Sequence, residues 1–174
     1  EFKELLGEPW LEKHLHIAIQ HSSAEILRIM NRRNNVDTDI KLLNELYEKG
    51  FALGTDFIVG HPGETDAVWK EAMSNLRKMP LTHVHAFTYS KREGTPSADS
   101  KGEINGLVSK DRMQELTSLI EAKNLAFRKE HKVPLEVLIE NEKEGIYTGL
   151  DQFFNRIEIE CEHDLSGNWI TIED

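Results

Sequence analysis

One cysteine, Cys161, stands among the 174 residues. Internal disulfides are excluded, and so is a thiolate metal cluster built from this chain alone. That scarcity fits a reducing compartment, so a cytoplasmic location is expected. No apolar run approaches the length of a membrane span, and no basic-then-apolar opening resembles a signal peptide. Positive charge is also in short supply. There are 21 Lys and Arg against 31 Asp and Glu, a net charge of −10, which argues against broad electrostatic attraction to nucleic acid. The deficit is uneven: residues 134–174 carry eleven acidic side chains against Lys143 and Arg156, whereas residues 1–33 carry five of each sign.

What is present suits a soluble globular protein. A hydrophobic fraction of 39% with 30% charged residues can bury a core in one domain, or in one domain with a small appendage. The first residue is Glu1, inside the helix-like Phe2-Lys3-Glu4-Leu5-Leu6, so a piece of something longer is expected.

The organising stretch is Gly54-Thr55-Asp56-Phe57-Ile58-Val59-Gly60-His61-Pro62-Gly63-Glu64. It reads as a buried strand entering a tight turn that opens a helix. Glycines there allow close backbone approach to a ligand, and a helix start offers free N–H groups to anionic or polar atoms. Around it the pattern repeats. His14 to Gln20 alternates as a strand, and Ser22 with Glu25 fits a capping box for the next helix. A second helix starts near Thr38 and stops at Gly50. A third spans about Thr65 to Met79, and a strand covers His83 to Ser90. Lys91 to Leu107 reads as loop, with Ser109 as the candidate cap of a last helix ending near Lys132. Three strand–helix units imply parallel strands, as half a barrel or half an open sheet. After Pro134 the period changes to two, predicting antiparallel strands at Leu135–Glu140, Ile157–Glu162 and Trp169–Ile172. A boundary therefore falls between residues 1–133 and 134–174.

Eight histidines raise a metal site. His14/His16 and His83/His85 each place two rings on one strand face, as in some barrel hydrolases. All four lie at the amino ends of their strands, where barrel residues commonly serve stability, so no metal ligand is assigned. The carboxyl ends make a more consistent mouth: Gln20-His21-Ser22-Ser23, Gly60-His61-Pro62-Gly63-Glu64 and Tyr89 to Pro96. Hydroxyls, an amide, glycine backbone and apolar faces suit a nucleoside-like ligand. No nucleophile–base pair appears, so no catalytic residue is assigned. Glu64 reads as a first-turn carboxylate favoured by the helix dipole.

Four blocks then carry a resemblance: His14 to Ser23, Met30-Asn31-Arg32-Arg33, Gly54 to Thr65, and Phe87 to Ala98. In this order and spacing they resemble the radical-SAM methylthiotransferases, which modify tRNA beside the anticodon or, in one branch, a ribosomal protein. The resemblance implies a partial, TIM-like half-barrel of parallel strands with flanking helices. The segment after Pro134 is similar, more loosely, to the small antiparallel β (TRAM) domain that contacts RNA. The implied chemistry uses S-adenosylmethionine and two 4Fe-4S clusters, one generating a deoxyadenosyl radical and one delivering sulfur. The implied substrate is N6-threonylcarbamoyladenosine at position 37 of a tRNA anticodon stem-loop, with the isopentenyladenosine and ribosomal-protein branches as alternatives. The implied SAM contacts are Gln20, Ser22 and Ser23, with Ile58 and Gly60 against adenine and Tyr89 with Ser90 closing the site. Each cluster needs three cysteines, so this chain is expected to be inactive alone. Two readings of other classes stand beside this one: a zinc hydrolase using the paired histidines, and a non-catalytic interaction module. Oligomeric state is unassigned, and no membrane partner is expected.

Overall fold

The computed structural model describes residues 2–173. A short helix α1 (Phe2–Leu5) leads to strand β1 (His14–His16), then helices α2 (Ala24–Ile29) and α3 (Val36–Tyr47). Strand β2 (Ala52–Val59), helix α4 (Asp66–Lys78), strand β3 (His83–Thr88) and the long helix α5 (Gly106–Glu130) follow. The three strands form one parallel sheet in the order β1-β2-β3. Sequential strands joined through helices take this parallel arrangement, because each crossover returns the chain to the same end of the sheet before the next strand begins.

The central strand explains the two faces. Leu53, Thr55, Phe57 and Val59 are fully buried against the helices, where Leu27, Leu43, Leu46, Trp69, Met73, Leu76, Leu116 and Ile120 complete the core. Gly54, Asp56 and Ile58 point the other way, as a period of two requires. On that second face they lie between His14 and His16 of β1 and His83, His85 and Phe87 of β3, and Phe87 is exposed. One face is thus a hydrophobic core and the other a polar, histidine-rich surface.

Helix starts follow the local chemistry. Thr65 caps α4 by accepting from the Val68 N–H, and Asn35 caps α3 by accepting from the Thr38 N–H. The α3 start therefore lies two residues before the expected Thr38, because an Asn side chain does the capping. The long helix is capped by Asn105, which accepts from Leu107 N–H. Ser109 is buried inside that helix instead of capping it. Residues 96–99 form a short 3-10 turn within the expected loop.

Two sequence expectations are corrected by β1. The regular strand ends at His16, because Ile17 to Ile19 closes a tight turn (Ile19 N–H to Ile17 C=O, 2.9 Å). Pairing resumes only as a single bridge between Gln20 and Phe57, with Gln20 at φ 65°. The capping box at Ser22 and Glu25 does not form. Ser23 occupies the cap position of α2 with no side-chain cap bond, and the Ser22 hydroxyl donates to the Ala72 carbonyl at 2.9 Å.

The second sheet is antiparallel, in the order β6-β5-β4-β7, from β4 (Leu135–Lys143), β5 (Ile146–Asp151), β6 (Arg156–Glu160) and β7 (Trp169–Ile172). Three of these match the expected period-two runs. The fourth, β5, was not expected, and it enters through a two-residue turn at Glu144 and Gly145 with φ of 56° and 80°, the geometry of a tight hairpin. Val137, Ile139 and Tyr147 form its small core. The loop after β5 meets the first sheet at the amino ends of its strands. Phe153 packs edge-on against Phe127, Phe154 stacks on His14 at 4.5 Å, and Asn124 donates to the Asn155 side chain at 2.9 Å. No helix among the described residues is long and apolar enough to cross a membrane.

Candidate functional site

The carboxyl ends of the three parallel strands lie side by side and line one cavity of about 660 Å³. That is within the usual range for a small-molecule site. Gln20 and Asp56 form its floor, Ile58 and Phe87 supply apolar faces, and Tyr89 with Ser90 forms a wall. His61 enters from the turn after β2, and Arg32 and Arg92 reach the rim from the neighbouring loops. The Tyr89 hydroxyl is buried and has no hydrogen-bond partner. A buried donor left unpaired is costly, so it marks a position that a bound group would satisfy.

Of the seven residues expected to contact SAM, this cavity collects Gln20, Ile58, Tyr89 and Ser90. Ser22, Ser23 and Gly60 lie elsewhere. Both serines are fully buried against α4, where the Ser23 hydroxyl donates to Glu71 at 3.2 Å. Gly60 sits behind the wall at φ 77°, with a Cβ there falling 2.3 Å from the Ser109 hydroxyl oxygen. The family block His14 to Ser23 therefore divides: its strand reaches the cavity through Gln20, and its serines anchor the following helix.

Behind the wall is a buried ionic hub. Glu64 is fully buried and accepts from Arg112 Nη1 at 2.9 Å and from the Gly60 N–H at 3.1 Å, with the His21 ring Nε2 at 3.0 Å. Arg112 also donates to the Glu64 carbonyl and, at 2.7 Å, to Asp66. Glu64 lies just before the cap residue of α4, so its role is this network and not the helix dipole. Arg112 was missed in the sequence, although the spacing of Ser109, Arg112, Leu116 and Ile120 puts it on the buried stripe of α5. His61 is clamped between the Pro62 carbonyl at 2.7 Å and the Ser97 hydroxyl at 2.8 Å, and it meets the Tyr89 ring edge-on.

Burial shifts three of the histidines. The His14 pKa falls to about 4, through burial first and then repulsion from His83, His16 and His85. Burial also lowers His61 and His83 below the ordinary imidazole value. A group whose folded pKa lies below its unfolded one contributes stability above the unfolded value, and that contribution disappears as pH falls toward the folded value. The melting temperature, measured with chelator present, is expected to drop between pH 7 and pH 5, before most carboxylates titrate. His14→Phe should flatten that drop; an unchanged pH slope in this variant would contradict the assignment.

Comparison with known proteins fits this geometry. Residues 2–76 match the family model described as the Radical SAM superfamily. A Helicobacter pylori (strain J99) protein named "Putative methylthiotransferase" is 47% identical over 177 residues, covering all of this chain and 42% of that protein. The Bacillus subtilis protein named tRNA-2-methylthio-N(6)-dimethylallyladenosine synthase is 34% identical over 135 residues, 76% of this chain and 26% of that one. The chain thus spans less than half the length of these relatives. The structure of Escherichia coli coproporphyrinogen III oxidase, described as a radical SAM enzyme, superposes with a TM-score of 0.54 over 80% of this chain and 41% of its own. At 15% identity that likeness concerns the fold alone. The parallel sheet and its cavity fit the radical SAM fold, and the chain is similar over its full length to a relative named as a methylthiotransferase.

Proposed function

We propose that this chain supplies the S-adenosylmethionine pocket of a tRNA methylthiotransferase, as the carboxyl-side half of its barrel followed by a TRAM-like β domain, with the boundary at residues 133 and 134. The observation that carries this reading is the single cavity reached by Gln20, Ile58, Tyr89 and Ser90 from three separate strand ends. The residues fit the ligand. Ile58 and Phe87 offer flat apolar contact to a purine, the Gln20 amide and the Ser90 hydroxyl offer hydrogen bonds, and the buried Tyr89 hydroxyl needs a partner. Gly60, Ser22 and Ser23 act from behind, holding the backbone that presents these groups.

Gln20, Ile58, Tyr89 and Ser90 would hold the nucleoside end of S-adenosylmethionine, which together with a 4Fe-4S cluster would supply radical chemistry. The single cysteine of these 174 residues cannot provide the three thiolates of even one cluster, so both clusters are assigned to other parts of a longer protein. The role of this chain is to bind and orient the nucleoside end of the ligand and to keep water from it. The substrate proposed for the longer protein is N6-threonylcarbamoyladenosine at position 37, in an anticodon stem-loop, modified at C2 in the cytoplasm. The dimethylallyladenosine named for relatives 34% and 35% identical supports a second reading.

The test uses the longer protein with reconstituted clusters, transfer RNAs bearing either modified adenosine, and mass analysis of the nucleosides. Methylthio product on threonylcarbamoyladenosine is expected, and Tyr89→Phe should raise the KM for S-adenosylmethionine several-fold. Product only on dimethylallyladenosine would replace the first substrate by the second. Absence of both product and S-adenosylmethionine binding would overturn the reading.

A further inference from the structure

We propose that His16, Asp56 and His85 bind one divalent transition-metal ion, of the zinc, cobalt or nickel class, beneath the floor of the cavity. The three side chains come from three adjacent strands and converge on the open face of the sheet. His16 Nε2 lies 3.3 Å from Asp56 Oδ1, and His85 Nδ1 lies 3.7 Å from the same oxygen. All three candidate ligand atoms fall within 4.8 Å of one another. Bonds of about 2.0–2.1 Å to a tetrahedral ion set its ligands roughly 3.3–3.4 Å apart. Two of these separations are thus near the required edge length, and His85, with 59% of its side chain exposed, is free to turn inward for the third.

The surroundings prepare the site in three further ways. The Gln20 amide faces the other Asp56 oxygen at 3.5 Å, the kind of outer contact that orients a ligating carboxylate. Gly54 keeps the strand surface bare beneath the rings, since a Cβ there would lie 3.1 Å from both His14 Nε2 and His16 Nδ1. A crevice of about 10 Å³ runs among His14, His16, His83 and His85, close to the least space that admits one water or ion. His14 Nε2, buried beside it, has no hydrogen-bond partner. Two imidazoles and one carboxylate suit zinc, cobalt or nickel better than magnesium or calcium, which prefer all-oxygen shells. Three protein ligands leave one position of a tetrahedral ion open, and Asp56 also lines the cavity.

The paired histidines considered from sequence alone are therefore used differently. One ring of each pair joins a carboxylate from the strand between them, and the amino-end rings His14 and His83 stay below, covered by Phe154. The inference does not depend on S-adenosylmethionine binding, and its readout is separate from activity.

The experiment is titration of the chelator-stripped 174-residue chain with cobalt(II), followed by visible absorption and calorimetry. One equivalent is expected to bind with the intense d–d bands of a tetrahedral ion. His85→Asn and Asp56→Asn should each weaken binding at least ten-fold, and Gln20→Ala about ten-fold, with circular dichroism confirming that each variant is folded. Exposed His163 serves as the control, and His163→Ala should leave binding unchanged. Should Asp56→Asn fail to fold, the surface variant His85→Asn decides alone. A weak octahedral spectrum, or equal affinity in wild type and His85→Asn, would overturn the proposal in favour of simple histidine–aspartate ion pairing.

Discussion

Glu64→Gln is expected to destabilise the chain by about 3 kcal/mol in denaturant unfolding. The carboxylate is fully buried and holds three partners at once: Arg112, His21 and the Gly60 N–H. Glutamine preserves the volume but offers one acceptor oxygen and two donor hydrogens. Whichever way the amide turns, an N–H must then face Arg112, His21 or Gly60, each of which presents its own donor or a ring fixed by other contacts. The larger loss is electrostatic. Arg112, only 5% exposed, keeps Asp66, yet that partner is 90% exposed and is screened by water. An uncompensated buried guanidinium is what makes removal of one ion-pair partner costly. The double variant Glu64→Gln/Arg112→Met should therefore cost clearly less than the sum of the two single changes. Additive values, or a single-variant cost under about 1 kcal/mol, would show that the hub is dispensable.

The hub also shows what could and could not be read from the sequence. The strand of Phe57-Ile58-Val59, the glycine turn and the helix begun by Thr65 all follow local rules, because alternation and capping act over a few residues. The convergence of Gln20, Ile58 and Tyr89 was equally legible, since parallel strands carry their ends to one side of a sheet. Long-range polar bonds were not. Ser22 reads as a cap but bonds to Ala72, fifty residues away. Glu64 reads as a dipole partner but meets Arg112 at a separation of 48 residues. The break in β1 escaped for a similar reason: the Ile19 N–H turns to the Thr55 hydroxyl at 3.2 Å, while the apolar alternation continues unchanged through it. The hairpin that creates β5 escaped because Glu144, not Asn or Gly, takes the first left-handed position. Asp56 drew no notice as a candidate because its partners, His16 and His85, sit on neighbouring strands.

Gly60→Ala is expected to cost about 2–5 kcal/mol and to disturb the cavity wall, through two separable causes. The first is conformational. Gly60 sits at φ 77°, and placing a Cβ in the left-handed region costs roughly 1–2 kcal/mol. The second is steric, because that Cβ would fall 2.3 Å from the Ser109 hydroxyl oxygen and 3.1 Å from its Cβ. Ser109 is on a buried face of α5, so it cannot swing into solvent to relieve the overlap. Either the turn or the helix must shift, and overpacking of that kind typically adds about 1–3 kcal/mol. Removing the hydroxyl tests the division. Ser109→Ala alone should be close to neutral, and in combination with Gly60→Ala it should recover the steric part while leaving the conformational part. Complete recovery would assign the whole effect to packing, and no recovery would assign it to backbone geometry. Because the Gly60 N–H also donates to Glu64, a displaced turn must loosen the Arg112 hub as well. The Gly60→Ala and Glu64→Gln costs should then be less than additive when combined, a coupling that two independent structural defects would not produce.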